Sequence, residues 1–112
     1  KIKEYLKEKN AKEVLLDADK IKDLVVYGAG TIATDIIKKT NFFKKIKNFD
    51  LIDSDLKKVG NTIANKKIKS PEILKNDDRN IFIATALGYD EVFQNILSIK
   101  GSSRNIISGL IL

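Results

Sequence analysis

Between Asp23 and Asp55 an apolar run, a glycine turn, a helical stretch and a second apolar run ending in acid follow one another without interruption. The first run, Leu24-Val25-Val26-Tyr27, has the length and β-branching of a buried strand. It leads directly into Gly28-Ala29-Gly30-Thr31-Ile32-Ala33. The spacing then predicts a helix over Thr31–Lys39, because Ile32, Ala33, Ile36 and Ile37 share a face and Lys38 and Lys39 sit at its negative end. Phe49-Asp50-Leu51-Ile52-Asp53 reads as the second strand. Strand, glycine turn, helix, strand and carboxylate in that order restrict the passage to a parallel βαβ unit able to cradle a dinucleotide. The pattern implies binding of a nucleotide and does not by itself imply a reaction.

Each residue of the pattern has an expected task. Gly28 makes the tight turn, and Gly30 leaves room for backbone to approach a pyrophosphate. Ala33 takes the third small position, where helix and strand pack closely. The amides of Thr31 and Ile32, with Ala29 in the loop before them, point toward a phosphate from the helix start. Asp53, with Ser54 beside it, ends the second strand 25 residues after Gly28. Its carboxylate suits the two hydroxyls of an adenosine ribose, which favours NAD over NADP. Lys57 and Lys58 follow closely and offer charge for a 2′-phosphate, so that choice stays open. The emptied alternative is a tight turn in a fold without a ligand, with Asp53, or instead Asp50 or Asp55, a solvated acid at a strand end.

The remaining chain alternates in the same way. Lys66–Lys69 reads as a third strand near a sheet edge because of its lysines. Ser70-Pro71-Glu72 opens a helical segment, with serine capping, proline in the first position and an acid in the first turn. Ile81–Ala86 reads as a fourth strand, whose final Ala84-Thr85-Ala86 either lets a ribose or base lie against the backbone or is ordinary loop. Tyr89–Lys100 is a helix stopped by Gly101, and Asn105–Leu110 is a fifth strand. Lys44–Lys47 reads as a solvated loop. Residues 1–22 read as a lead-in of short amphipathic helices, and 23–112 as one domain. The expected fold is α/β, a five-stranded mainly parallel sheet in the order 3-2-1-4-5, with ligand where that order reverses.

Composition narrows the function classes. The chain has 112 residues and a net charge of +6. Nineteen of its 21 basic residues are lysines scattered among acids, which argues against nucleic-acid binding, where arginine is the usual bidentate reader. No apolar run approaches the roughly 18 residues of a membrane span, so no insertion is expected. There is no histidine and no cysteine, so no Ser-His pair, thiolate or zinc cluster is available and no catalytic residue is assigned. The absence of cysteine is compatible with a reducing cytoplasm. Tyr5 to Lys9 spells Tyr-x-x-x-Lys, but ahead of the first strand, where an oxidoreductase pair would not stand. A chain starting at Lys1 with no methionine reads as a piece of a longer protein, whose other domains would be its partners and would carry any reaction.

Together Val25-Val26-Tyr27-Gly28-Ala29-Gly30, Leu51-Ile52-Asp53-Ser54-Asp55-Leu56-Lys57-Lys58-Val59-Gly60, and Ile63 and Ile68 leading to Ser70-Pro71-Glu72-Ile73-Leu74 resemble a bacterial Rossmann-type module. That module is attached to nucleotide-sugar dehydratases and epimerases, sugar acyltransferases, and some methyl- or glycosyltransferases of surface-polysaccharide synthesis. The resemblance covers about Asp23 to Leu110. It implies a Rossmann-like three-layer fold, nucleotide contacts at Gly28, Gly30 and Asp53, and NAD, NADP or a nucleotide-sugar as ligand. Ala33 departs from the family's third glycine, and Asn65 and Lys67 from its glycine and proline. A ligand-free scaffold or homo-oligomerisation module, and a sensor of the kind fused to potassium-transport systems, are the alternatives. A methyltransferase site would need glycine at Ile32.

Overall fold

The computed structural model describes residues 23–39, 41–46, 48–85 and 88–107. The expected lead-in helices of residues 1–22, the Tyr5/Lys9 pair, Ala86, and the fifth strand beyond Ile107 lie outside them. The elements are β1 (Asp23–Tyr27), α1 (Thr31–Lys39), α2 (Asn41–Lys45), β2 (Asn48–Ile52), β3 (Thr62–Ile63) and β4 (Lys66–Lys69). After them come a 3-10 helix (Pro71–Asn76), β5 (Asn80–Ile83), α3 (Tyr89–Lys100) and β6 (Ile106–Ile107). The strands form one sheet in the order β3-β4-β2-β1-β5-β6. Every pairing is parallel except that of β3 with β4.

The central strands are apolar on both faces because both faces are covered. Alternation splits their side chains into two cores. Leu24, Val26, Phe49, Leu51 and Phe82 meet Ala33, Ile36 and Ile37 of α1 and Phe43 and Ile46 around α2. Val25, Tyr27, Ile52, Ile81 and Ile83 point the other way and meet Ile96 of α3 and Leu74 of the 3-10 helix. Ala33 is fully buried, so the missing methyl groups at this position let α1 lie close to the sheet. The Ser70 hydroxyl accepts the Glu72 amide at 3.3 Å, and Pro71 occupies the first turn of the 3-10 helix. No described helix is long and apolar enough to cross a membrane.

Several expectations are corrected. The sheet has six strands rather than five, because Thr62–Ile63 folds back on Lys66–Lys67 as an antiparallel ribbon. That ribbon covers β4, so the lysine-bearing strand is second from the edge. Lys44 and Lys45 are exposed as expected but end a helix rather than forming a loop, since Phe43 and Ile46 have core to bury; Lys47 lies outside the described residues. Strand β5 stops at Ile83, so Ala84 and Thr85 lie beyond the strand and Ala86 outside the described residues.

Candidate functional site

Backbone hydrogen bonds carry the central strands into one rim. The Gly28 amide donates to the Ile52 carbonyl at 2.8 Å, and the Ala84 amide to the Tyr27 carbonyl at 2.8 Å. These bonds bring the ends of β1, β2 and β5 side by side. Gly28 has φ of +113°, and a Cβ there would stand 3.2 Å from the Ala84 carbonyl oxygen and from Thr85 Cβ. Glycine is therefore demanded twice at this position, by backbone angle and by the closeness of Ala84 and Thr85. Gly30 is different. Its φ lies outside the left-handed range, and the nearest atom to an added Cβ would be Lys58 Nζ at 3.9 Å. Neither backbone nor packing requires glycine there, and the missing side chain keeps space open.

That space is a hollow of about 240 Å³ lined by Gly28, Ala29, Gly30, Thr31, Ile32, Asp53, Lys58, Ala84 and Thr85. Helix α1 starts at its wall. Its first bond runs from the Thr34 amide to the Gly30 carbonyl at 3.0 Å, so the amides of Thr31 and Ile32 belong to the first turn and have no intrahelical acceptor. The positive end of the helix dipole faces the same way. The Ile32 side chain packs on the core.

Asp53 joins the loop to the second strand. Its Oδ2 accepts the Ala29 amide at 2.8 Å, and its Oδ1 accepts the Asp55 amide at 2.8 Å. The second bond starts a turn, continued by the Lys57 amide donating to Asp55 Oδ1 at 3.0 Å and the Lys58 amide to the Asp55 carbonyl at 2.9 Å. The turn doubles back and sets Lys58 Nζ 4.0 Å from Asp53 Oδ2. Each carboxylate oxygen still has a second lone-pair direction with which to accept a hydroxyl.

A larger chamber of about 770 Å³ adjoins the hollow, walled by the β2 end and by Gly88, Glu91, Val92, Gln94 and Asn95 of α3 and its approach. Tyr27, fully buried, supplies the floor. Asn95 Nδ2 donates to the Tyr27 hydroxyl, which also contacts Ser54 Oγ. A buried phenol proton needs an acceptor, and Ser54 Oγ is the one in reach, so the chain runs Asn95 to Tyr27 to Ser54. Ser54 and Asn95, at the two ends of this chain, both line the chamber.

At the opposite end of the sheet one arginine ties three carboxylates together. Arg79 bonds Asp77 through Nε and Nη2, Asp50 at 2.6 Å and Asp23 at 2.9 Å. Burial works against ionisation of Asp50, but hydrogen bonds from Arg79 and Lys69 outweigh it and hold its carboxyl below the usual range. The Arg79 hydrogen bond does the same for Asp77 against the cost of burial. The guanidinium is in turn held charged above its ordinary range, chiefly by Asp77.

Of the residues singled out in the sequence, the structure gathers Gly28, Ala29, Gly30, Thr31, Ile32, Asp53, Ala84 and Thr85 around the hollow and Ser54 on the chamber beside it. Tyr27, Glu91, Gln94 and Asn95 were not foreseen as lining. The one available signal is that Gln94 and Asn95 are adjacent uncharged polar residues in a helix whose only other small uncharged polar side chain is Ser98. Compared with protein-family models the chain matches none, and comparison with curated proteins finds no match.

Proposed function

We propose that the chain is a nucleotide-binding domain of Rossmann-like layout that holds a nucleoside diphosphate moiety, as in NAD, NADP or a nucleotide-sugar. The observation that carries this reading is the meeting of the two halves of the motif. The Asp53 carboxylate at the end of β2 grips the Ala29 amide of the glycine loop at 2.8 Å, on the border of an open hollow. In this reading the diphosphate lies over Gly30 and the first amides of α1. The ribose hydroxyls reach Asp53, and the base enters the chamber beneath Ser54 and Asn95. A crevice outside the carboxyl ends of parallel strands, where the connections change side, is the place such folds use.

Binding, orientation and exclusion of water are the tasks these residues can perform. A redox role for NAD would come from the cofactor's own ring and from groups elsewhere in a larger protein. On the resemblance given above, that protein is a bacterial sugar-modifying enzyme such as a nucleotide-sugar epimerase or dehydratase.

The test is saturation-transfer NMR and calorimetry with NAD, NADP, ADP, UDP and a UDP-sugar on the 112-residue chain. Binding by at least one, weakened in Asp53→Asn, is the expected result. Silence from all five would leave only a scaffold.

A further inference from the structure

We infer that Lys58 is the cationic contact of the diphosphate, rather than a reader of a phosphate on the ribose 2′ position. The inference rests on the nucleotide-binding reading and specifies its ligand contact. An acid ending the second strand followed by lysines leaves two tasks open for those lysines, and the turn from Asp55 to Gly60 decides between them. Two carboxylates one residue apart, Asp53 and Asp55, accept the amides of Asp55 and Lys57 and fix the path of that turn. The Asn61 side chain also bonds the Lys57 carbonyl at 3.3 Å. The path carries the Lys58 ammonium back over the glycine loop, 3.9 Å from the point where a Gly30 Cβ would stand. Lys58 borders both the hollow and the chamber. Lys57, by contrast, is exposed and lines neither.

The local charges agree. The hollow is flanked by one carboxylate, already committed to two amides, and by one ammonium 4.0 Å away whose side chain is 43% exposed. An ion pair that long and that solvated holds Lys58 only weakly. A diphosphate entering over Gly30 offers Lys58 shorter, charge-assisted bonds while Asp53 keeps its grip on Ala29. The ligand class that follows is a nucleoside diphosphate, with a ribose free of a 2′-phosphate.

The experiment compares wild type with Lys58→Met and Lys58→Arg by calorimetry, using ADP, UDP, inorganic pyrophosphate, adenosine, NAD and NADP at 0.05 and 0.5 M salt. Lys58→Met is expected to weaken ADP, UDP and NAD about tenfold at low salt. The difference should shrink at high salt, adenosine should stay within about twofold, and Lys58→Arg should recover most of the loss. Equal binding by Lys58→Met and wild type overturns the inference while leaving the binding reading intact. So does a loss confined to NADP, which would assign Lys58 to a 2′-phosphate, or an equal loss for adenosine, which would assign it to the fold. A wild type that ignores every diphosphate overturns the binding reading and this inference with it.

Discussion

Replacing Gly30 with alanine adds one methyl group to the mouth of the hollow and disturbs little else. Its backbone angle is not in the left-handed range, and the added Cβ would meet only the far end of Lys58 at 3.9 Å. The fold should therefore lose nothing, and the smaller entropy of the unfolded chain is expected to raise stability by about 0.4–1 kcal/mol. Binding should respond in the other direction. The methyl occupies the approach of a phosphate oxygen to the amides of α1, and one or two charge-assisted bonds at about 1.5–3 kcal/mol each would be forfeited. Affinity for ADP or UDP should fall at least tenfold, at about 1.4 kcal/mol per factor of ten. Gly28→Ala is the paired control. There the same methyl meets the Ala84 carbonyl oxygen at 3.2 Å with φ held at +113°. Backbone strain and overpacking together should cost about 2–4 kcal/mol, a fall of roughly 8–16 °C in Tm for a domain of this size. Urea denaturation followed by far-UV circular dichroism, with calorimetry for the ligands, separates the two effects. Gly30→Ala that binds as tightly as wild type, or that loses more than about 2 kcal/mol of stability, would refute the assignment of Gly30 to ligand rather than to fold.

Two further substitutions test the frame around the site. Arg79→Met strips three carboxylates of their shared cation, and with Arg79 about one-fifth exposed the cost at pH 7 should be about 2–3 kcal/mol in urea melts. Because Asp50 and Asp77 are held below the ordinary carboxylate range, their stabilisation is complete above the unfolded value near 3.8 and disappears as pH falls through the depressed values. The gap between wild type and variant should thus narrow steadily below about pH 4, and a gap that is constant from pH 7 to pH 2.5 would contradict this account. Tyr27→Phe removes the central hydroxyl of the Asn95–Tyr27–Ser54 chain and should cost about 1 kcal/mol, since both former partners border the chamber and can be hydrated from it. An unchanged midpoint would show that the hydroxyl contributes nothing to holding α3 against the end of β2.

How far the sequence could be read follows from where each signal resides. Strand β1 was legible because a central parallel strand is apolar on both faces, and α1 because Ile32, Ala33, Ile36 and Ile37 repeat with a helical period. Helix α3 was legible to its last residue because Gly101 stops it. The β3–β4 ribbon was not. Its turn places Ala64 and Asn65 at φ of 50° and 65°, where a reader expects glycine, and its strand is too short to alternate. Helix α2 was hidden because its five residues are too few for periodicity to show. The glycine loop and Asp53 could be named in advance, since their spacing is a property of the chain. The chamber wall could not be. Periodicity tells which side of α3 is apolar, but says nothing about what Glu91, Gln94 and Asn95 look out on. Lys58 fell between these cases: its proximity was readable, its direction only from the path of the turn.

The doubly engaged Asp53 side chain has a consequence for how occupancy could be detected. One small carboxylate staples two separate stretches of main chain, so any hydroxyl arriving at its oxygens competes with, or reinforces, bonds already made to Ala29 and Asp55. The amide protons of those two residues, 26 positions apart in the chain, are thereby wired to a common acceptor. They should shift in concert in a proton–nitrogen spectrum whenever the ribose position is filled, and so report on that one point without any label on the ligand.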